Sequence, residues 1–156
     1  MIKTNVMRLL DQAGIAYQAM EYEVDENNLA GEHVAELIGI PAEQVFKTLV
    51  AKGEKKGYVV FCIPVNLELD LRKAAMAIGD KKIEMLHVKD LLGTTGYIRG
   101  GCSPIGMKKK FKVYMDETAI LYEDITISAG VRGCQLRISQ EKLVEYIAAE
   151  LFDVTA

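Results

Sequence analysis

Few side chains in this 156-residue chain are placed to do chemistry. Cys102 stands in Gly100-Gly101-Cys102-Ser103-Pro104, where flexible backbone can aim N–H groups at an oxyanion and the lysines that follow can favour a thiolate. No motif supplies it with a base, since His33 and His87 are far apart and neither belongs to an HxH or HExxH pattern. A reactive thiol and an idle small residue in a tight loop both stay open. Ser103 has no G-x-S-x-G elbow around it, and a serine before proline is an ordinary turn residue. Cys62, Cys102 and Cys134 lack the short spacing of zinc ligand pairs, and Gly96 to Gly101 lacks the Gly-Lys-Ser/Thr ending of a phosphate loop. No metal and no cofactor is therefore expected.

Lys47 interrupts the apolar run Val45-Phe46-Lys47-Thr48-Leu49-Val50. Strand alternation puts Phe46, Thr48 and Val50 on one face and Lys47, Leu49 and Ala51 on the other. A lysine there either snorkels off a sheet edge or points into a cleft. Charge is segregated further on: no acidic residue lies between Asp90 and Asp116, a stretch that holds Arg99, Lys108, Lys109, Lys110 and Lys112. Such a run is a solvated face or a cradle for a polyanion.

These residues need a scaffold. The chain is 50% hydrophobic and 26% charged, with net charge −3, which suits one domain with a substantial core and argues against general nucleic-acid binding. No apolar run approaches the ~20 residues of a membrane span. Met1 to Asn5 has no basic region leading into an apolar one, and three unpaired-looking cysteines fit a reducing compartment, so a cytoplasmic protein is expected.

Thr4 caps a helix through Val6, Leu9, Leu10 and Ala13 that ends at Gly14. A strand follows within Ile15 to Glu23, then a polar turn at Asp25 to Asn28 and a helix from Glu32 to Ile38. Phe46 to Lys52 and Tyr58 to Pro64 form a hairpin, Asp70 caps Leu71 to Ile78, and Val88 to Leu92 is a short helix. A Gly-rich loop is expected from Gly93 to Gly106, then strands at Phe111 to Met115, Ala119 to Tyr122, Ile125 to Ser128 and Cys134 to Ile138. Ser139 opens a terminal helix whose apolar stripe runs through Leu143, Val144, Ile147, Ala148 and Leu151. Without strict βαβ alternation the class is α+β, a single domain over residues 1–156.

Phe46-Lys47-Thr48-Leu49, Thr95-Gly96-Tyr97-Ile98-Arg99-Gly100-Gly101-Cys102-Ser103-Pro104-Ile105-Gly106 and Ser128-Ala129-Gly130-Val131-Arg132-Gly133, in that order, resemble the YbaK/EbsC family. These are stand-alone aminoacyl-tRNA deacylases related to the editing insertion of prolyl-tRNA synthetase. The resemblance implies a mixed, barrel-like sheet flanked by helices, and release of cysteine from mischarged tRNA(Pro). It implies a catalytic set of Lys47 with the Gly100 and Gly101 amides on the ester carbonyl, the substrate thiol or a ribose hydroxyl providing the attack. It implies substrate contacts at Tyr22, Ala30, Thr48, Ser103, Ser128 and Gly130, with Ala30 where relatives often carry an aromatic. Lys108, Lys109, Lys110 and Lys112 would meet tRNA phosphates, and a prolyl-tRNA synthetase partner stays open. A non-catalytic binding module of the same fold and a thiol enzyme using Cys102 are the rival readings.

Overall fold

A helix that buries one face and a hairpin that buries both set the frame. The computed structural model describes residues 3–156, so Met1 and Ile2, the start of the segment read for a leader, lie outside the described residues. Helix α1 (Asn5–Ala13) is capped by the Thr4 hydroxyl, which accepts from the Met7 N–H, and closes at Gly14 with φ 71°. Val6, Met7 and Leu10 are its buried stripe. Strand β1 (Tyr17–Glu21) follows, then α2 (Gly31–Ile38) and a 3₁₀ turn at Ala42–Gln44. Strands β2 (Phe46–Gly53) and β3 (Gly57–Pro64) form the expected hairpin, paired from Phe46 opposite Pro64 to Gly53 opposite Gly57. The chain then runs through α3 (Leu71–Ile78), β4 (Ile83–Met85), α4 (Val88–Thr95), β5 (Val113–Asp116), β6 (Asp124–Ser128), β7 (Cys134–Ser139), α5 (Gln140–Tyr146) and β8 (Glu150–Phe152).

Among the described residues the strands make two sheets, ordered β1-β7-β6 and β4-β2-β3-β5-β8. The first is antiparallel; the second is mixed, with β4, β2 and β3 antiparallel in turn and β3, β5 and β8 parallel to one another. A single bridge, Val45 with Thr126, joins them, so the expected barrel-like sheet does not close. Phe46, Val50, Val60 and Cys62 from the large sheet meet Ile125, Ile127, Leu136 and Ile138 from the small one, with α1 and Leu143 against the same core. The opposite face of β2 and β3 packs Ala51, Val59, Phe61 and Ile63 on Ala74, Ala75 and Ile78 of α3. Burying a side chain such as Phe46 or Phe61 contributes about 2–3 kcal/mol, and the hairpin places one in each of the two cores.

The α+β class holds, and three local expectations are corrected. Ala119 to Tyr122 is not a strand. It belongs to a 3₁₀ helix, Glu117–Leu121, because Asp116 accepts from the Thr118 N–H and hydroxyl and turns the chain there. The terminal helix stops at Tyr146, Ala148 takes φ 51°, and Leu151 lies in β8, drawn into parallel pairing opposite Met115. The glycine-rich loop is shorter than expected, since α4 runs through Gly93 to Thr95 before closing at Gly96.

Asp116 holds the first two of these arrangements together. It is 1% exposed; Oδ1 accepts from the Val154 N–H and the Thr155 hydroxyl at 3.2 Å, while Oδ2 serves Thr118. Asp116→Ala should therefore destabilise the fold by about 2–4 kcal/mol, through several donors left unpaired at once. Urea denaturation checks this, and a loss below about 0.5 kcal/mol, the size of an ordinary surface change, would show that the carboxylate ties nothing together.

Candidate active site

Strand β2 is paired along its whole length on the β3 side but only at Ala51, Lys52 and Gly53 on the β4 side. Its first half is thus an open sheet edge, and Phe46, Lys47, Thr48, Leu49 and Val50 all line a cavity of about 450 Å³. The other walls are the start of α2, the segment Met85–Leu91, Gly100 and Cys102 from the loop after α4, and Ser128 and Gln135 from the small sheet.

Each wall has a local reason. Helix α2 begins at the cavity with Ala30 as an N-cap that offers no side-chain hydrogen bond, so its first N–H groups and positive end stand uncapped there. Gly31 must be glycine for contact, since a Cβ would come 2.5 Å from Val65 Cγ1. The loop after α4 is pinned from several sides. The Tyr97 hydroxyl donates to the Ile105 carbonyl, the Gly101 N–H donates to the Ile98 carbonyl at 2.9 Å, and Arg132 Nε donates to the Arg99 carbonyl at 2.8 Å. Gly100 holds φ +86°, a conformation that other L-residues rarely adopt.

The cavity is apolar in its depth, around Phe46, Val45 and Val50, and charged at its rim. Lys47 is half-buried and enters no ion pair among the described residues. Arg99, Glu32 and Glu68 are exposed around the mouth. Neither the Gly100 nor the Cys102 N–H has a protein acceptor among the described residues. Cys102 lines the cavity, and burial pushes its thiol up to about 12, with the Thr95 hydroxyl opposing the shift. That thiol is protonated at neutral pH. No histidine lines the cavity, and among the described residues no group of three His, Cys, Asp or Glu side chains converges to hold a metal ion.

The structure brings Lys47, Thr48, Ala30, Gly100 and Ser128 together in one cavity. It separates the others. Gly101 does not line the cavity and its N–H is engaged by Ile98, so it is unavailable as the second carbonyl donor expected of it. Ser103 is fully buried, its Oγ accepting from the Ile105 N–H, and serves the loop. Gly130, at φ +92°, packs so closely on Val6 and Tyr97 that a Cβ would lie 3.0 Å from Val6. Tyr22 is also outside the lining; its N–H donates to the Gly133 carbonyl and extends the β1–β7 pairing. Lys109 and Lys110 line a separate cavity of about 280 Å³ with Phe111 and Tyr146. Lys108 lays its stem on Gly96, and Lys112 pairs with Glu150 at 3.3 Å.

Sequence reasoning missed Gln135, Arg99 as a cavity residue, and the wall from Met85 to Leu91. Gln135 carried no signal, because alternation with Cys134, Leu136 and Ile138 puts it with Arg137 on the face that a half-buried strand ordinarily turns to solvent. The Met85–Leu91 wall carried none, because β4 is too short to show a period.

With this geometry in place, the family is decided. Residues 26–146 match the model of the aminoacyl-tRNA editing domain, and the chain belongs to that family. Among individual relatives, it is 50% identical over 153 residues, 98% of this chain and 93% of the relative, to an Enterococcus faecalis protein, EbsC, that bears the name of a Cys-tRNA(Pro)/Cys-tRNA(Cys) deacylase. It is 30% identical over 94 residues to the proline–tRNA ligase of Thermosipho africanus, covering 60% of this chain and 17% of that enzyme. A solved structure described as a trans-editing enzyme for prolyl-tRNA synthetase has the same fold, with TM-score 0.84, 24% identity and coverage of 97% and 94%. A hypothetical protein superposes with TM-score 0.88 at 19% identity, over 97% of this chain and 99% of its own.

The displaced role of Gly101 changes what its substitution should do. A Cβ there would lie 3.1 Å from the Arg132 nitrogen and the Val131 carbonyl carbon, both backbone atoms. Gly101→Val should lower the melting temperature and the activity together, with a stability loss of about 1–3 kcal/mol. Activity lost at an unchanged melting temperature would return Gly101 to the reacting centre.

Proposed function

We propose that this aminoacyl-tRNA editing protein releases cysteine from mischarged tRNA(Pro) in trans, and that the substrate's own thiol makes the attack. One observation carries the reading: the cavity offers a cation and unpaired N–H groups on a rigid loop, and its buried depth holds no histidine, carboxylate or ionised thiol. Its two carboxylates, Glu32 and Glu68, stand exposed at the mouth. Such a site can hold an activated ester and stabilise negative charge, and its depth holds no group that would abstract a proton from water or from a protein nucleophile. The relative's name supports cysteine as the amino acid.

An aminoacyl ester needs less help than a peptide bond, so positioning and oxyanion stabilisation suffice. In this reading Lys47 on the open edge of β2 holds the terminal phosphate or ribose, with Arg99 at the rim as a second cation. The Gly100 N–H faces the ester carbonyl, and the Cys102 N–H stands next in the loop for the same charge. The cysteinyl sulfur bonds to the carbonyl carbon, the ester C–O bond breaks, and the departing ribose oxygen takes the proton given up by the thiol. Thr48 and Ser128 border the amino acid, Ala30 leaves the entry side open, and Lys108, Lys109, Lys110 and Lys112 meet phosphates further along the acceptor end. Of these four, Lys109 and Lys110 are best placed, because Lys112 is already paired. A prolyl-tRNA synthetase partner would supply tRNA choice, which nothing in a cavity of this size can read beyond the terminal nucleotide.

Two measurements test the reading. Lys47→Ala should cut single-turnover deacylation of Cys-tRNA(Pro) tenfold or more, as expected for loss of a charge-assisted contact of ~1.5–3 kcal/mol, with an unchanged circular dichroism spectrum. Near-normal turnover would remove Lys47 from the site. Cys102→Ser should keep most activity, and Ser-tRNA(Pro) should be cleared far more slowly than Cys-tRNA(Pro). Below the substrate thiol pKa of ~8.5 the rate should rise about tenfold per pH unit, since the reactive form is the thiolate. Cys102, whose thiol stays protonated up to about 12, should leave that profile unmoved. Abolished turnover in folded Cys102→Ser would restore an enzyme nucleophile, and equal rates on the two substrates would point to water.

A further inference from the structure

Gln135 lies on β7 between Ser128 of β6 and Met20 of β1, its direct cross-strand neighbours, and faces the cavity. It is 7% exposed, and its Oε1 is a buried side-chain oxygen with no hydrogen-bond partner among the described residues. An unpaired buried carbonyl oxygen is destabilising, and an apolar side chain of the same shape would pack there without that penalty. Gln135 lines the cavity, and a turn about the terminal torsion of its amide, which is broad and roughly two-fold, brings Oε1 to the cavity face, where a donor brought by the ligand satisfies it.

The position selects which donor. Arg99, Glu32 and Glu68 are exposed at the mouth, whereas Gln135, Ser128 and Phe46 are buried in the depth. The narrow amino-acid end of an aminoacyl-adenosine therefore reaches Gln135, and the bulky nucleoside stays outside. That end carries two donors, the α-ammonium with three N–H groups and the thiol with one weak S–H. A thiol held on an acceptor is held protonated, which opposes its use as the nucleophile. The α-amino group gives up no proton in the reaction, and in its ammonium form its bond to Oε1 is charge-assisted.

We infer that Gln135 determines specificity for a free α-amino group: its Oε1 accepts from the α-ammonium of the bound aminoacyl ester. This rests on the deacylase reading and narrows its substrate class. Esters with an acylated nitrogen, as in formylated or peptidyl-tRNA, lose the charge and fill the same space with a carbonyl, so they are excluded. An editing enzyme so built clears mischarged aminoacyl-tRNA and leaves growing chains alone.

The experiment compares Cys-tRNA(Pro) with N-acetyl-Cys-tRNA(Pro) in single turnover, and measures binding of amide-linked cysteinyl- and alanyl-adenosine with and without N-acetylation. The wild-type protein should favour the free amine about tenfold or more, as sites built around a substrate hydrogen bond do. Gln135→Leu should treat free and acetylated forms alike to within about twofold, with a melting temperature unchanged or higher, because the unpaired oxygen is gone. Gln135→Glu should keep the preference. A merely structural Gln135 would instead show a lower melting temperature in Gln135→Leu and an intact amine preference, which overturns the inference. An amine-blind but active wild-type protein overturns it without reference to any variant. A Gln135→Leu defect seen with the cysteinyl but not the alanyl analogue assigns the contact to the thiol and overturns it too. A wild-type protein inert on Cys-tRNA(Pro) sinks the deacylase reading itself, an outcome distinct from amine-blindness.

Discussion

The site exists because β2 is paired unequally. On one side it is held by β3 from Phe46 to Gly53, and on the other by β4 only at its last three residues. An edge left open in water invites aggregation, and proteins blunt such edges with lysine or cover them. Here, beyond the Val50 carbonyl, which accepts from the Leu86 N–H at 3.0 Å, the edge is covered without being paired: α2, the Met85–Leu91 segment and the loop at Gly100 surround it and enclose a cavity. Five consecutive residues of one strand can then face the same space, which a fully paired strand does not permit. Lys47 is both the guard of that edge and its cation, so the two readings open from sequence describe one side chain.

The loop after α4 supplies the complementary half. Its shape is over-determined by bonds from Tyr97, Gly101, Ser103 and Arg132, and most of its polar groups serve that purpose. What remains unpaired beside the cavity is correspondingly informative. The Gly100 and Cys102 N–H groups lack protein acceptors, and across the cavity Gln135 Oε1 lacks a donor. A rigid loop keeps such groups oriented before the ligand arrives, which is what makes electrostatic stabilisation effective in the transition state. Under the proposed reading the same rigidity makes a reactive protein thiol unnecessary. Burial holds Cys102 in its protonated form, and a substrate that carries its own thiol would react intramolecularly.

Much of the fold was legible locally. Thr4 and Asp70 as caps, Gly14 as a left-handed stop, and the β2–β3 hairpin all follow from side-chain and backbone preferences within a few residues, and all are present. The alternation that put Phe46 and Val50 on one face and Leu49 and Ala51 on the other is realised in two separate cores. The α+β class, the family, and Lys47 and Gly100 as cavity residues were within reach of residue type, order and spacing. The 3₁₀ helix at Glu117–Leu121, the early stop of α5 and strand β8 were not. They depend on Asp116 and on pairing between β5 and β8, partners distant in sequence whose register no local pattern encodes.

The same division runs through the site. Residue type determined that Lys47 would be cationic, that Gly100 could adopt φ +86° and that no histidine motif would supply a base. Tertiary structure decided which glycine keeps a free N–H: Gly100 and Gly101 are neighbours of one type, yet Gly101 is engaged by Ile98 and pressed on Val131 and Arg132. It decided that Ser103, Gly130 and Tyr22 serve packing and loop closure, that the lysine run splits between a second cavity, a stem contact and an ion pair, and that Gln135 stands unpaired in the depth. The physical reason is that intrinsic chemistry belongs to a side chain, whereas availability depends on whether some other residue has already used its hydrogen bonds. That second property is set only when strands and loops distant in sequence come together.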